Sequence, residues 1–208
     1  MNRTFLVAAI ALAVAAAVVA IYVATHPIIS EDITVERDVQ ATNWGLVGQT
    51  FPFFSWIGDT KGFFFELFLF AVILLVNRPA WLFAAGAAAS GFWYQAVSHI
   101  IQRPRPTTDT VLQVTEHPGA SSFPSGHTIF ITTVMVVIML CIGYRFLKPR
   151  WARIVGWVVV ACVIAANDIA RVYTGAHWPT DVLAGMLIAG AWLCLVLALP
   201  FAAKRVLR

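Results

Sequence analysis

Three short polar clusters interrupt an otherwise apolar chain: Gln102-Arg103-Pro104-Arg105-Pro106, then Phe123-Pro124-Ser125-Gly126-His127, then Arg171 through His177 to Asp181. A guanidinium presents a planar fork of donors that matches an oxyanion. Ser125-Gly126, placed at the start of a helix, adds backbone N–H groups and a favourable dipole end. Together with the arginines this makes a cradle for a phosphate group. Two histidines and a carboxylate then remain. They are the set that covalent phosphoryl transfer needs without a metal: a nucleophile, an acid for the leaving group and an orienting carboxylate. His177 and Asp181 flank Pro179, which suits the first turn of a helix. Asp181 is therefore expected to reach His177, hold one ring nitrogen protonated and leave the other free to attack phosphorus. The set calls for no metal and no cofactor.

The elements that carry these clusters belong in a bilayer. The 208 residues are 60% hydrophobic and 12% charged, with a mean hydropathy of +0.81, whereas a soluble domain is about 45–50% apolar and about 25% charged. Apolar stretches run at 4–24, 62–76, 80–101, 126–143, 151–170 and 181–202, and a crossing helix needs about 20 residues. The expectation is an all-α polytopic bundle with six transmembrane helices in one membrane-embedded domain, 1–208. The first stretch is longer than the ~7–15 residue core of a signal peptide and is read as a retained helix.

Charge sets the orientation, because lysine and arginine accumulate on the cytoplasmic side. With the N-terminus inside, the cytoplasmic segments carry Arg3, Arg78, Arg145, Lys148, Arg150, Arg153, Lys204, Arg205 and Arg208 and no acid. The other side receives Glu31, Asp32, Glu36, Asp38, Asp59, Asp109 and Glu116, against Arg37, Lys61, Arg103 and Arg105. Both termini are thus expected in the cytoplasm. An extracytoplasmic loop at 25–61 and a second polar loop at 102–125 then lie outside. All three polar clusters fall at the outer ends of spans, so they meet on one face of the bundle.

A pI near 9.3 does not indicate nucleic acid, because the basic residues divide among helix ends and form no continuous stripe. Cys141, Cys162 and Cys194 fall inside spans and read as small apolar residues. The aromatic run Trp44 to Ile57 is expected to rest on the lipid surface, with a lid over a lipid substrate as the sharper alternative. His26 and His117 read as ordinary loop residues, and Glu66 as a carboxylate reaching the interface.

Arg105-Pro106, Pro124-Ser125-Gly126-His127 and Arg171-x5-His177-x3-Asp181 resemble the three signature motifs of the type 2 phosphatidic acid phosphatase superfamily. The resemblance implies a metal-independent membrane phosphatase. In it His177 forms a phosphohistidine, Asp181 orients it, and His127 protonates the leaving group and later activates water. Arg105, Arg171 and the backbone of Ser125 and Gly126 would hold the phosphoryl oxygens. Two positions depart from the pattern: Ser98 stands where the family has a lysine, and Ala170 where it has a serine. Arg103 is expected to restore the missing charge by binding phosphate, with His99 as the other candidate. Asp168 is expected to pair with Arg171 three residues on, and Glu116 is a candidate contact for the leaving group. The implied substrate is a lipid phosphate or pyrophosphate among the membrane lipids at the outer face of a bacterial-type cytoplasmic membrane, undecaprenyl pyrophosphate and phospholipid phosphates included. A phosphotransferase that discharges the same intermediate to a lipid or sugar is the alternative. None of these residues assigns an oligomeric state.

Overall fold

Helix is the regular structure throughout the computed structural model, which describes residues 1–58, 61–116 and 119–207. His117, Asp59 and Arg208, which the sequence assigned to loops and a terminus, lie outside the described residues. In chain order the helices are α1 (Arg3–Thr25), α2 (Ser30–Ala41), α3 (Gly45–Gly48), α4 (Phe51–Ile57), α5 (Lys61–Val76), α6 (Trp81–Ala88) and α7 (Gly91–Ile100). There follow α8 (Gly126–Ile138), α9 (Tyr144–Phe146), α10 (Arg150–Tyr173), α11 (Pro179–Ala198) and α12 (Pro200–Val206).

Among the described residues, four helical segments are long and apolar enough to cross a membrane: α1, the run Gly126–Phe146 that joins α8 to α9 through a π-turn, α10 and α11. The other two stretches expected to span look different. The stretch at 62–76 forms α5, whose 16 residues rise about 24 Å at 1.5 Å each. The stretch at 80–101 is broken at Ala89-Ser90 into α6 and α7. At the break Ser90 is buried and its hydroxyl hydrogen-bonds Thr133 of α8 at 2.9 Å.

Packing follows residue size. On α1, Ala9, Ala16 and Val23 are buried at a seven-residue spacing, while Val7, Ile10, Val14, Val18 and Ile21 are exposed. The small stripe lies along α11, as close packing between membrane helices favours. The exposed branched residues form a surface that suits lipid better than water. The main core lies among α5, α6, α8, α11 and α12, around Ile73, Phe83, Cys141 and Leu197.

The polar segment between α1 and α5 is helical where a loop was expected. In α2 the buried residues are Asp32, Glu36 and Gln40, one stripe at helical spacing. The stripe is tied inward: Gln40 donates to the carbonyl of Gln113 at 2.9 Å and accepts from the Leu112 N–H at 2.8 Å. The aromatic run forms α3 and α4, and α4 buries Phe51 and Phe54 against α10 while Phe53 and Trp56 stay exposed.

Candidate active site

The three clusters converge at one end of α8, α10 and α11. Ser125 caps α8, its hydroxyl accepting from Thr128 N–H at 3.4 Å, and its own N–H donates to the Asp181 carbonyl at 3.1 Å. The loop arms pair where Ser122 N–H meets the Arg103 carbonyl at 2.9 Å, and the Trp178 indole donates to Pro104 at 2.9 Å. Gly175 has φ +72°, and a Cβ there would lie 2.6 Å from the Gln113 carbonyl. Only glycine allows both that conformation and that approach.

A cavity of about 250 Å³ opens between these segments, lined by Arg105, Gly126, His127 and His177 together with Gly58, Glu66 and Tyr94. His177 sits in the turn between α10 and α11 and is almost fully buried. Its Nδ1 lies 2.7 Å from the Ser122 carbonyl. A carbonyl can only accept, so Nδ1 carries the proton and Nε2 keeps its lone pair. Burial, then the positive charge of Arg105 and His127, drives the His177 pKa well below the ordinary imidazole value. The ring is therefore neutral at neutral pH, as a nucleophile requires. Asp181 stands further off than expected, its Oδ2 3.9 Å from Nδ1. The direct orienting contact is the backbone carbonyl, and Asp181 adds a nearby negative charge.

The arginines divide into two kinds. Arg105 lines the cavity and is steered by the carbonyls of Gly119 (2.8 Å), Ser121 (2.6 Å) and Ala176. Arg171 is fully buried; its Nη1 pairs with Glu116 at 2.8 Å and its Nη2 donates to the Ser55 hydroxyl at 2.5 Å. The Ser55 hydroxyl in turn meets Glu116. Nε of Arg171 is buried and has no hydrogen-bond partner among the described residues. Arg103 differs from both, because two carboxylates hold its guanidinium: Nε donates to the Pro27 carbonyl (2.8 Å), Nη1 to Thr180 (2.8 Å) and Asp181 (2.5 Å), and Nη2 to Asp32 (2.7 Å).

Several expectations change accordingly. Arg103 does not face the phosphate cradle, because two carboxylates hold its guanidinium behind Asp181. Nor does His99 take the lysine's place: it is exposed, with Nδ1 2.7 Å from the Gln95 carbonyl. The Ser98 hydroxyl also turns to the Gln95 carbonyl, at 3.2 Å. The Ser125 N–H is spent on Asp181, which leaves Gly126 as the cavity-lining part of that pair. Asp168 acts on Arg171 through its nearby charge and not through a direct contact; its Oδ1 accepts from Thr128 (2.8 Å) and Asn167 (2.9 Å) and so ties α10 to α8. The carboxylate in direct contact with the arginine is Glu116.

Sequence reasoning missed Ser55, Gly58, Tyr94, Ser122 and the role of Asp32. Gly58 packs so closely that a Cβ on it would lie 1.9 Å from Cδ2 of His127, so the end of α4 roofs the site and does not merely rest on lipid. The Asp32-Glu36-Gln40 spacing was a readable signal of a polar inward face. A backbone carbonyl such as that of Ser122 leaves no trace in residue type.

Comparison with known proteins bears on the family and the fold. Residues 79–205 match the family model described as the PAP2 superfamily. The chain is 37% identical over 76 residues to an undecaprenyl-diphosphatase of Sulfolobus acidocaldarius, covering 36% of this chain and 32% of the relative. It is 40% identical over 86 residues to a lipid A 1-phosphatase of Rhizobium johnstonii, covering 41% and 30%. The match thus spans about a third of the length of either relative. Among solved structures, a transmembrane PAP2-type phosphatidylglycerolphosphate phosphatase from Bacillus subtilis superposes with a TM-score of 0.73 at 17% identity, over 91% of this chain and 94% of that one. LpxE from Aquifex aeolicus gives 0.60 at 18% identity, over 81% and 96%.

Proposed function

Since the chain belongs to the PAP2 superfamily, we propose that it is a membrane phosphatase that removes a phosphoryl group from a lipid phosphate or pyrophosphate at the extracytoplasmic face. The observation that carries the reading is the shared cavity in which Arg105, His127 and a neutral His177 meet. His177 Nε2 attacks phosphorus while its Nδ1–H stays on the Ser122 carbonyl. The bond from phosphorus to the leaving oxygen breaks, and His127 gives that oxygen a proton. The ring is then a phosphohistidine whose positive charge is balanced by Asp181. His127, now neutral, takes a proton from the water that attacks the phosphohistidine, and phosphate and free His177 result. Arg105, the Nε of Arg171 and the start of α8 stabilise the charge on the equatorial oxygens.

A lipid substrate is supported by the surroundings. A narrow apolar cleft lined by Leu69, Ile73, Ala84 and Val137 shares Glu66 and Ala88 with the polar cavity. The cleft is only about 40 Å³, so what it supplies is an apolar wall beside the phosphate site, and undecaprenyl pyrophosphate leads the candidates because one relative carries that activity in its name.

The test is phosphate release by the purified protein in detergent with EDTA. The panel holds undecaprenyl pyrophosphate, phosphatidylglycerol phosphate, phosphatidic acid and a lipid A phosphate. Release is expected for at least one of them, and His177→Ala should lower it at least 10³-fold with an unchanged thermal midpoint, since the nucleophile carries both chemical steps. Turnover by that variant at the wild-type rate would sink the mechanism. Accumulation of phosphoprotein that discharges only when an alcohol acceptor is added would point to the transferase.

A further inference from the structure

Helix α2 lies outside the four long apolar spans, yet it buries a carboxylate against an arginine. Asp32 is 2% exposed and Arg103 likewise. A buried ion pair gives little stability compared with apolar residues of the same volume, because desolvation offsets the attraction. Its yield here is geometric. Asp32 Oδ2 accepts from Arg103 Nη2 at 2.7 Å and from the Thr180 hydroxyl at 2.6 Å, and Oδ1 accepts from Thr180 N–H at 3.0 Å. Asp32 therefore caps the first turn of α11 from a different helix and fixes one edge of the guanidinium. The other edge holds Asp181 Oδ1 at 2.5 Å, and the guanidinium carbon sits 5.6 Å from the centre of the Trp178 ring. Asp181 Oδ2 takes the Trp178 N–H at 2.9 Å.

From this chain of contacts we infer that Arg103, clamped by Asp32 of α2, is the positioning residue that holds the Asp181 carboxylate beside His177. The inference rests on the reaction proposed above. When Nε2 is phosphorylated with Nδ1 still protonated, the ring becomes cationic, and the nearest carboxylate oxygen is the one 3.9 Å away. That oxygen is held by the Trp178 N–H, and the carboxylate keeps its plane because Arg103 pins the other oxygen. An ammonium offers one point of charge and cannot bridge two carboxylates in a fixed plane. The helix outside the long spans thus forms the back support of the nucleophile, and the arginine of the first cluster acts on the third without touching substrate.

The experiment compares wild type, Asp32→Asn, Arg103→Lys, Arg103→Gln and Asp181→Asn in the EDTA assay, reading kcat, KM, inhibition by inorganic phosphate and the thermal midpoint. Asp32→Asn is expected to lower kcat roughly 10–100-fold, the range seen when a supporting contact is lost, with KM and the phosphate inhibition constant within about twofold. Arg103→Lys should retain more kcat than Arg103→Gln. In the Asp181→Asn background, Asp32→Asn should cost almost nothing further, a non-additivity that a merely structural role would not produce. Thr180→Val, which removes the hydroxyl bridge and no charge, is expected to show a smaller loss confined to kcat. It decides the matter should Asp32→Asn not fold. Unchanged kcat, a raised KM with weaker phosphate inhibition, or additive losses would each overturn the inference. If wild type is active, His177→Ala is dead and Asp32→Asn is unaffected, the positioning role alone fails. If His177→Ala is as active as wild type, the underlying reaction falls and takes this inference with it.

Discussion

At the scale of the residue, the site is a contest for donors. Glu116 and Ser55 occupy Nη1 and Nη2 of Arg171, so under the proposed reaction a phosphoryl oxygen that reaches the guanidinium beyond its Nε competes with a charged acceptor. Glu116→Gln replaces a charge-assisted bond by a neutral one, a difference of about 1 kcal/mol. It is therefore expected to lower KM and the phosphate inhibition constant roughly fivefold at similar kcat. A raised KM would mean that Glu116 touches substrate. Glu36 gives a pH test. Burial first, then the neighbouring Asp181 and Asp32 carboxylates, push its carboxyl up to about 9 from an ordinary 4.5. Between those values the unfolded chain has released a proton that the folded chain keeps, so stability falls as pH rises through that window. Thermal midpoints at pH 5, 7 and 9 should decline in wild type, and Glu36→Gln should flatten the decline. A variant with the wild-type slope would contradict the assignment. The residues that sequence could name, His127, His177, Asp181, Arg105 and Arg171, are those whose type fixes their chemistry. Arg103 was misread because its type suits both an oxyanion and a buried carboxylate, and only the long-range approach of Asp32 decides between them.

At the scale of the element, α4 shows how a segment read as a lipid-surface loop becomes part of the site. Phe51 and Phe54 anchor it to α10, and this sets Ser55 at Arg171 and Gly58 on His127. Hydropathy sees only an aromatic run, which suits the interface equally well. The break between α6 and α7 was similarly invisible, because the residues on both sides of Ala89-Ser90 are apolar or small and hydropathy runs on across them. The long spans were legible because twenty apolar residues leave little choice. Gly58→Ala tests the roof: a methyl 2.4 Å from Nε2 of His127 must turn the ring or lift α4. Because general acid–base groups contribute about 10²–10⁴-fold, kcat is expected to fall at least tenfold while the thermal midpoint stays close to wild type. Wild-type kcat would show that α4 does not sit on His127 during turnover.

At the scale of the whole molecule, the polar site and the basic ends occupy opposite poles of the bundle. The histidines, Asp181 and the arginines of the site lie near the start of α8 or α11, the end of α10, or the segment before α8, whereas Arg78, Lys148, Arg153 and Arg205 lie near the other ends of α5, α8, α10 and α11. Membrane insertion retains lysine and arginine on the cytoplasmic side, so the reaction is proposed to face outward, on lipid phosphates of the outer leaflet. The native cysteines suit a labelling test, since Cys141 is buried and Cys162 and Cys194 lie within apolar spans. Asp38 on α2 and Lys148 before α10 are both exposed. With a membrane-impermeant maleimide on intact bacterial cells, Asp38→Cys should be labelled at once and Lys148→Cys only after the membrane is opened. The reverse pattern would turn the bundle over, place the phosphohistidine in the cytoplasm, and require that the lipid be dephosphorylated on the inner leaflet.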